Sequence, residues 1–267
     1  MTAKPKITVM KIGGNVIDDA SALTEVLTAF SKFEGAKILV HGGGKEASKL
    51  AEKLGLLPQM VDGRRITDAP MLDVVVMTYA GLLNKKIVAK LNAFGTTAVG
   101  FSGADGNLIL SKKRKIGVVD YGFAGDIVSV NHQLLVTLLN NNITPVCCAI
   151  THDGNGQLLN TNADTIASEL ASALADFYDV ELCYCFEKKG VLMNSEDEHS
   201  VIEILTEETY DDLLKTSTIH SGMIPKLDNC FAALKKGVKT VTIGHHSLIG
   251  NKNSNHTKVQ LQAYENH

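Results

Sequence analysis

Short runs rich in β-branched residues alternate along the whole chain with segments whose apolar residues return every three or four positions. This alternation restricts the fold more than any other feature. The runs ITVMKI (7–12), AKILVH (36–41), TTAVGF (96–101), ITPVCCAI (143–150), FYDVELCYC (177–185) and VKTVTIG (238–244) predict strands. Continuous apolar runs of this kind suit a mostly parallel sheet covered on both faces. The segments ASALTEVLTAFSKF, KEASKLAEKLGL, APMLDVVVMTYAGLLNKKIVAKLNAF, NADTIASELASALA and KLDNCFAALKKG carry the helical period and predict the crossovers. From Gly103 to Val130, glycines, a KKRK run and the apolar runs KIGVVD and GDIVSV predict hairpins beside the sheet.

A chain of 267 residues with 45% apolar content can bury the core of one large α/β domain or of two closely joined lobes. Its 26 basic and 29 acidic residues give a formal charge of −3, so no global field draws it to nucleic acid or to an anionic membrane. The basic run Lys112 to Lys115 reads as a solvated hairpin face, with a phosphate patch as the alternative. The opening MTAKPKITVMKIGGN lacks the apolar length of a secretory signal, and no segment has the length of a membrane span. The expected location is cytoplasmic. The five cysteines fall in apolar runs, with Cys147 beside Cys148 and Cys183 near Cys185, and read as reduced core residues. Neither spacing resembles a zinc motif, and no metal site built by the protein is expected. The ending HHSLIGNKNSNHTKVQLQAYENH is polar and rich in Asn and His, which marks part of it as a mobile tail.

Chemistry concentrates where predicted strands give way to predicted helices. Lys11-Ile12-Gly13-Gly14-Asn15 ends the first strand, and its glycines and lysine make either an anion nest or an ordinary turn. His41-Gly42-Gly43-Gly44-Lys45-Glu46 repeats the device at the next strand end, where open α/β sheets bind ligands. Neither a Walker loop nor GxGxxG is present. Asp62-Gly63-Arg64-Arg65-Ile66-Thr67 offers a guanidinium that can clamp a carboxylate in two-pronged fashion, against a surface-loop reading. Asn160-Thr161-Asn162-Ala163-Asp164 supplies more amides and carboxylate than one helix cap needs. Gly222-Met223-Ile224-Pro225-Lys226 sets a lysine near a helix N-terminus, where it opposes the dipole unless an anion lies between them.

In this order, KIGGN, HGGGKE, DGRRIT, AVGFSGADG, NTNADT, KKGVL and SGMIPK resemble the amino acid kinase family over nearly the whole chain, and within it the kinases of N-acylated glutamate. The resemblance implies an α/β fold, a three-layer αβα sandwich around a central mainly parallel sheet. It implies an N-terminal lobe, 1–175, that binds N-acyl-L-glutamate and dimerises, and a C-terminal lobe, 176–267, that binds ATP. The implied reaction is ATP-dependent phosphorylation of the side-chain carboxylate to an acyl phosphate, on the way to arginine, with Mg2+ held mainly by the ATP phosphates. Carried over by position, Lys11 and Lys226 would stabilise the transferring phosphoryl group and Asp164 would orient them. Gly13 and Gly14 would lie at the β- and γ-phosphates. Gly43, Gly44, Arg65 and Asn160 would hold the acyl amino acid. Glu187, Lys188, Lys189, Gly190, Val191 and Leu192, with Thr218, Ile219 and His220, would edge the nucleotide site.

The chain departs from the family pattern at Glu187, where Asp is common, and at His256-Thr257, where a Gly-Thr pair is usual. Arginine-inhibited members carry a further helix before the first strand. Here MTAKPK precedes Ile7, so the resemblance implies a homodimer insensitive to arginine, joined through the stretch from Met71 to Phe94. The alternatives are a family member with another small acid as substrate, or a non-catalytic sensor of acylated amino acids.

Overall fold

The computed structural model describes residues 3–61, 63–194, 196–216, 218–219, 223–249 and 255–262. Asp62, His220 and Gly222, named above, lie outside the described residues. An eight-stranded sheet runs in the spatial order Ile204–Leu205, Thr257–Val259, Thr240–His245, Asp179–Phe186, Lys6–Ile12, Ala36–His41, Thr144–Cys147 and Ala98–Phe101. Its pairings are parallel except where Thr257–Val259 meets Thr240–His245.

Side chains of each strand alternate between two cores. Ile7, Val9, Val180, Leu182 and Tyr184 face one layer, which includes the helices Gly44–Lys53, Ala69–Val76, Ala163–Leu174 and Ile224–Lys235. Met10, Ile12, Cys183 and Cys185 face the other, with Ala20–Lys32 and Asn84–Ala93. The αβα sandwich follows from this two-sided burial. The same alternation puts Lys11 on the face of Val9, toward Ala163–Leu174. From Lys6–Ile12 the next strand of the sheet, Ala36–His41, lies on one side, and from Asp179–Phe186 the chain turns to the other side. The crevice opens at the carboxyl ends of these strands, at the switch in direction.

Two sequence expectations need correction. The run 143–150 is not one strand: Thr144–Cys147 belongs to the main sheet and Ile150–His152 to a four-stranded sheet with Leu158–Asn160, Ile109–Lys113 and Gly125–Val130. The chain leaves one sheet for the other at Cys148 and Ala149, and Ala149 lines the cleft described below. KIGVVD is not a strand either. The hairpin pairs Lys113 with Gly125, so residues 115–120 fall in its connection, with Ile116 and Val118 exposed. Among the described residues, the α-helices Gly14–Asp18, His132–Asn140 and Glu207–Lys215 have no counterpart among the periodic segments named above. His132–Asn140 is capped by Asn131 and Glu207–Lys215 by Thr206, and each cap accepts a backbone N–H in the first turn. Of the polar tail, Thr257–Val259 is a strand with Thr257 and Val259 buried.

Candidate active site

Two helix N-termini meet beside the end of the first strand. Ala163–Leu174 is capped by the Asn162 side chain, which accepts from the Asp164 and Thr165 amides at 2.8 and 3.1 Å. Asp164 therefore occupies the first turn, where a carboxylate is favoured by the helix dipole. Ile224–Lys235 starts with Pro225 in its first turn, followed by Lys226. Lys11 Nζ lies 2.8 Å from Asp164 Oδ1, and Lys226 Nζ lies 3.2 Å from Oδ2. The Tyr184 hydroxyl donates to the Asp164 carbonyl at 2.9 Å, and the Tyr184 and Phe186 rings stand 5.3 and 5.7 Å from Lys226 Nζ. Burial alone would raise the Asp164 pKa, but the two ammonium groups outweigh it and hold the carboxyl at about 2. For Lys11 burial dominates and draws the ammonium down from its ordinary range, with Asp164 opposing the shift. Two cations balanced by one carboxylate leave a net positive site, suited to an anion.

The cleft above this triad has a volume of about 330 Å3 and gathers Lys11, Gly43, Gly44, Arg64, Arg65, Asn160, Asp164 and Asn229. Arg65 is buried, and its Nη2 donates to the Gly44 carbonyl and the Ser48 hydroxyl, each at 2.8 Å. Arg64 is exposed at the rim. Gly43 has φ +152°, and a Cβ there would lie 2.3 Å from Leu83 Cδ1, so no side chain fits. Asn160 donates to the Thr67 hydroxyl at 2.9 Å. Gly13 and Gly14 lie outside this lining, and the Gly13 amide is bonded to the Cys185 carbonyl at 3.0 Å.

Lys188, Gly190, Val191, Leu192, Thr218 and Ile219 come together around a separate cavity of about 320 Å3, with Glu196 and Met223. Glu187 and Lys189 are exposed and do not line it. Gly190 is required by close packing, because a Cβ would lie 2.6 Å from Thr257 Oγ1. That oxygen accepts the Val191 amide at 2.8 Å. The chain thus keeps a buried threonine here although His256 departs from the usual glycine.

The sequence reading missed several cleft residues. Arg114 sits in the basic run read as solvated, yet it lines the cleft, its Nη2 2.5 Å from Asp126 and its guanidinium 5.6 Å from the Tyr121 ring. Lys112, Lys113 and Lys115 are exposed as expected. Tyr79 lines the cleft from a π-helical stretch, Met77–Leu83, inside the long helix, and Asn229 from the second turn of Ile224–Lys235. An Asn three residues after Lys226 was the available signal for the latter, since that step returns to the same helix face. Among the described residues, no three His, Cys, Asp or Glu side chains are grouped to hold a metal ion. The acid at the centre of the cleft, Asp164, is already committed to two lysines.

The sequence profile described as "Amino acid kinase family" matches residues 6–245. A protein of Phocaeicola vulgatus named Acetylglutamate kinase is 52% identical over 246 residues, covering 92% of this chain and 96% of its own. A protein of Cytophaga hutchinsonii with the same name is 52% identical over 254 residues, covering 94% of this chain and 96% of its own. The carbamate kinase of Giardia lamblia bound to AMP-PNP superposes with a TM-score of 0.72 at 16% identity, over 98% of this chain and 100% of its own, a likeness of fold.

Proposed function

Because the chain belongs to the amino acid kinase family and has half-identical relatives named Acetylglutamate kinase, we propose that it phosphorylates the side-chain carboxylate of N-acetyl-L-glutamate with ATP. The observation that carries this reading is the Lys11–Asp164–Lys226 triad, whose Lys11 and Asp164 line a cleft that also holds a buried arginine, Arg65. The product is an acyl phosphate, a committed step in arginine biosynthesis.

A carboxylate is anionic at neutral pH and needs no general base. One of its oxygens attacks the γ-phosphorus, and the bond to the β,γ-bridging oxygen breaks, with its electron pair leaving on ADP. Both reactants are negative, so positioning and charge neutralisation dominate. In this reading Lys11 and Lys226 approach the transferring group from either side, and Asp164 holds both ammonium groups in place. Gly13 and Gly14 border the phosphates. Arg65 and Asn160 hold the amino-acid end, with the Gly43 and Gly44 amides beside it. Mg2+ carried on the ATP phosphates would supply further charge neutralisation there. The lobe 1–175 carries the acid and the lobe 176–267 the nucleotide, at the cavity of Lys188 and Gly190 to Leu192 with Thr218 and Ile219.

A homodimer fits the unpartnered surface at one end of the sheet. Met77, Leu82, Phe94 and Val99 are 38–50% exposed on the long helix and on the edge strand Ala98–Phe101. No described helix is long and apolar enough to cross a membrane. All five cysteines are free and buried, which suits a reducing cytoplasm. The test of function is direct. Purified protein with ATP and N-acetyl-L-glutamate should yield hydroxylamine-trapped acyl phosphate in step with ADP, and ADP without trapped product would overturn the reading. Light scattering should give twice the chain mass.

A further inference from the structure

His41 and Asn84 are two polar side chains sealed in the protein that the mechanism leaves unused. Neither lines the cleft. The His41 Nδ1–H donates to the Gly42 carbonyl at 2.8 Å, and its Nε2 accepts from Asn84 Nδ2 at 3.1 Å. Asn84 Nδ2 also donates to the Val146 carbonyl at 2.9 Å, and its Oδ1 accepts from Lys85 Nζ at 3.2 Å. The carbonyl partner fixes the amide's orientation, and the amide with the Gly42 carbonyl fixes the imidazole tautomer. Burial draws the His41 pKa down to about 4, so the ring is neutral near pH 7 and carries the one N–H this pattern needs.

Two independent features serve this pair. Gly100 on the edge strand leaves room for the Asn84 amide, since a Cβ there would lie 1.8 Å from Asn84 Oδ1. Asn84 also follows directly on the π-helical stretch Met77–Leu83, a rare distortion that recurs at functional sites. The same stretch presses Tyr79 and Leu83 onto Gly43, leaving 3.1 and 2.3 Å to where a Cβ would stand. Gly42 is thus held by His41, and Gly43 is confined by Tyr79 and by Leu83, the residue directly before Asn84.

We infer that His41 and Asn84 are positioning residues that set the Gly42–Gly44 loop for the acylated amino acid, with the π-helical stretch and Gly100 as their support. The inference rests on the substrate assignment proposed above. Half-satisfied buried networks are costly, whereas this one is closed at every donor and acceptor just named, which suits rigid placement of a loop.

The test compares the full-length wild type with Asn84→Ala and Gly100→Ala, the latter displacing the amide by contact. Asn92→Ala is the control on the same helix. Asn92 also bonds backbone carbonyls, those of Val88 and Ala98, but touches no part of the glycine loops. Both test variants should raise KM for N-acetyl-L-glutamate about tenfold while KM for ATP stays within about twofold. Amide hydrogen exchange over residues 42–45 should quicken about tenfold, with the strand Lys6–Ile12 unchanged. The control should lower Tm and leave KM and loop exchange alone. If Asn84→Ala does not fold, Gly100→Ala carries the same comparison. Unchanged loop exchange, or equal rises in both KM values, would overturn the inference. A wild type that makes no acyl phosphate from N-acetyl-L-glutamate would instead sink the substrate assignment, and the exchange measurement would still decide the positioning.

Discussion

The acid side of the cleft and the nucleotide side differ in how far they are organised before any ligand arrives. On the acid side and along the transfer path the groups assigned a role already have protein partners: Arg65 on Gly44 and Ser48, Asn160 on Thr67, and Lys11 and Lys226 on Asp164. On the nucleotide side, the described groups around Gly190 to Leu192 are tied mainly through backbone, Val191 N–H to Thr257 and Ile202 N–H to the Val191 carbonyl, each at 2.8 Å. Of the charged side chains that line this cavity, Glu196 is exposed and Lys188 is half-buried, its Nζ 3.8 Å from Glu198 Oε1. Rigid donors matter most where charge develops in the transition state, and less where a ligand only has to be retained. Substitutions on the two sides should therefore separate into losses of kcat and losses of affinity.

The largest effect belongs to the triad. Lys226→Ala removes one cation from the transfer path, and losing such a preorganised charge costs about 2.7–4 kcal/mol in the transition state. We expect kcat to fall about a hundredfold or more, with the circular dichroism of the wild type retained. A near-normal kcat would take Lys226 out of the mechanism and erase the contrast between the two sides.

Acid titration reads the same triad without catalysis. Asp164 has a folded pKa of about 2 against an ordinary 3.8, because the two lysines overcome its burial. A depressed carboxylate pKa stabilises the fold above the unfolded value, and that stability disappears as pH falls through the folded value. The window runs from about pH 4 down to about pH 2, and the contribution is about 2 kcal/mol. Urea unfolding at stepped pH should therefore lose stability more steeply in wild type than in Asp164→Asn across this window. Parallel curves would mean that the lysines do not hold the carboxylate as described.

Arg65→Lys tests the acid side at its buried arginine. It keeps the charge and loses the planar fork that reaches Gly44 and Ser48 together. KM for N-acetyl-L-glutamate should rise about tenfold and KM for ATP by less than about twofold, whereas Arg64→Lys should change both little. The reverse pattern would shift the assignment to the exposed arginine.

The same contrast governs what the sequence could say. The sheet and the triad's neighbourhood were legible because they depend on local signals: apolar runs, glycines at strand ends, Asn162 as a cap and Pro225 in a first turn. Lys11 was marked by its place at a strand end beside two glycines. Arg114 was not, because its direction depends on the pairing of Lys113 with Gly125, and the surrounding KKRK composition reads as solvated. His41 and Asn84 meet across 43 positions of sequence, and Asn84 arrives through a π-helical stretch that no periodicity announces. The break of 143–150 between two sheets was hidden for a related reason, since a continuous apolar run does not show where its partners change. The nucleotide edge was legible only through resemblance: Lys188 and Gly190 to Leu192 do gather with Thr218 and Ile219, but composition alone marks nothing there.

The smallest effect should come from the tail strand that closes the nucleotide side. Thr257 is fully buried, its hydroxyl accepts the Val191 amide at 2.8 Å, and Gly190 leaves the space for it. Thr257→Val is nearly isosteric, so packing survives while the Val191 N–H loses its partner. An unsatisfied buried donor costs about 1–3 kcal/mol, and the fold should lose stability of about that size. Because Val191 borders the proposed nucleotide cavity rather than the transfer path, KM for ATP should rise only a few-fold, with kcat and KM for the acid within about twofold. Steady-state kinetics beside a urea melt would check both expectations. A loss of kcat comparable to that of Lys226→Ala would show that the nucleotide side is as tightly coupled to the chemistry as the acid side, and the distinction between them would fail.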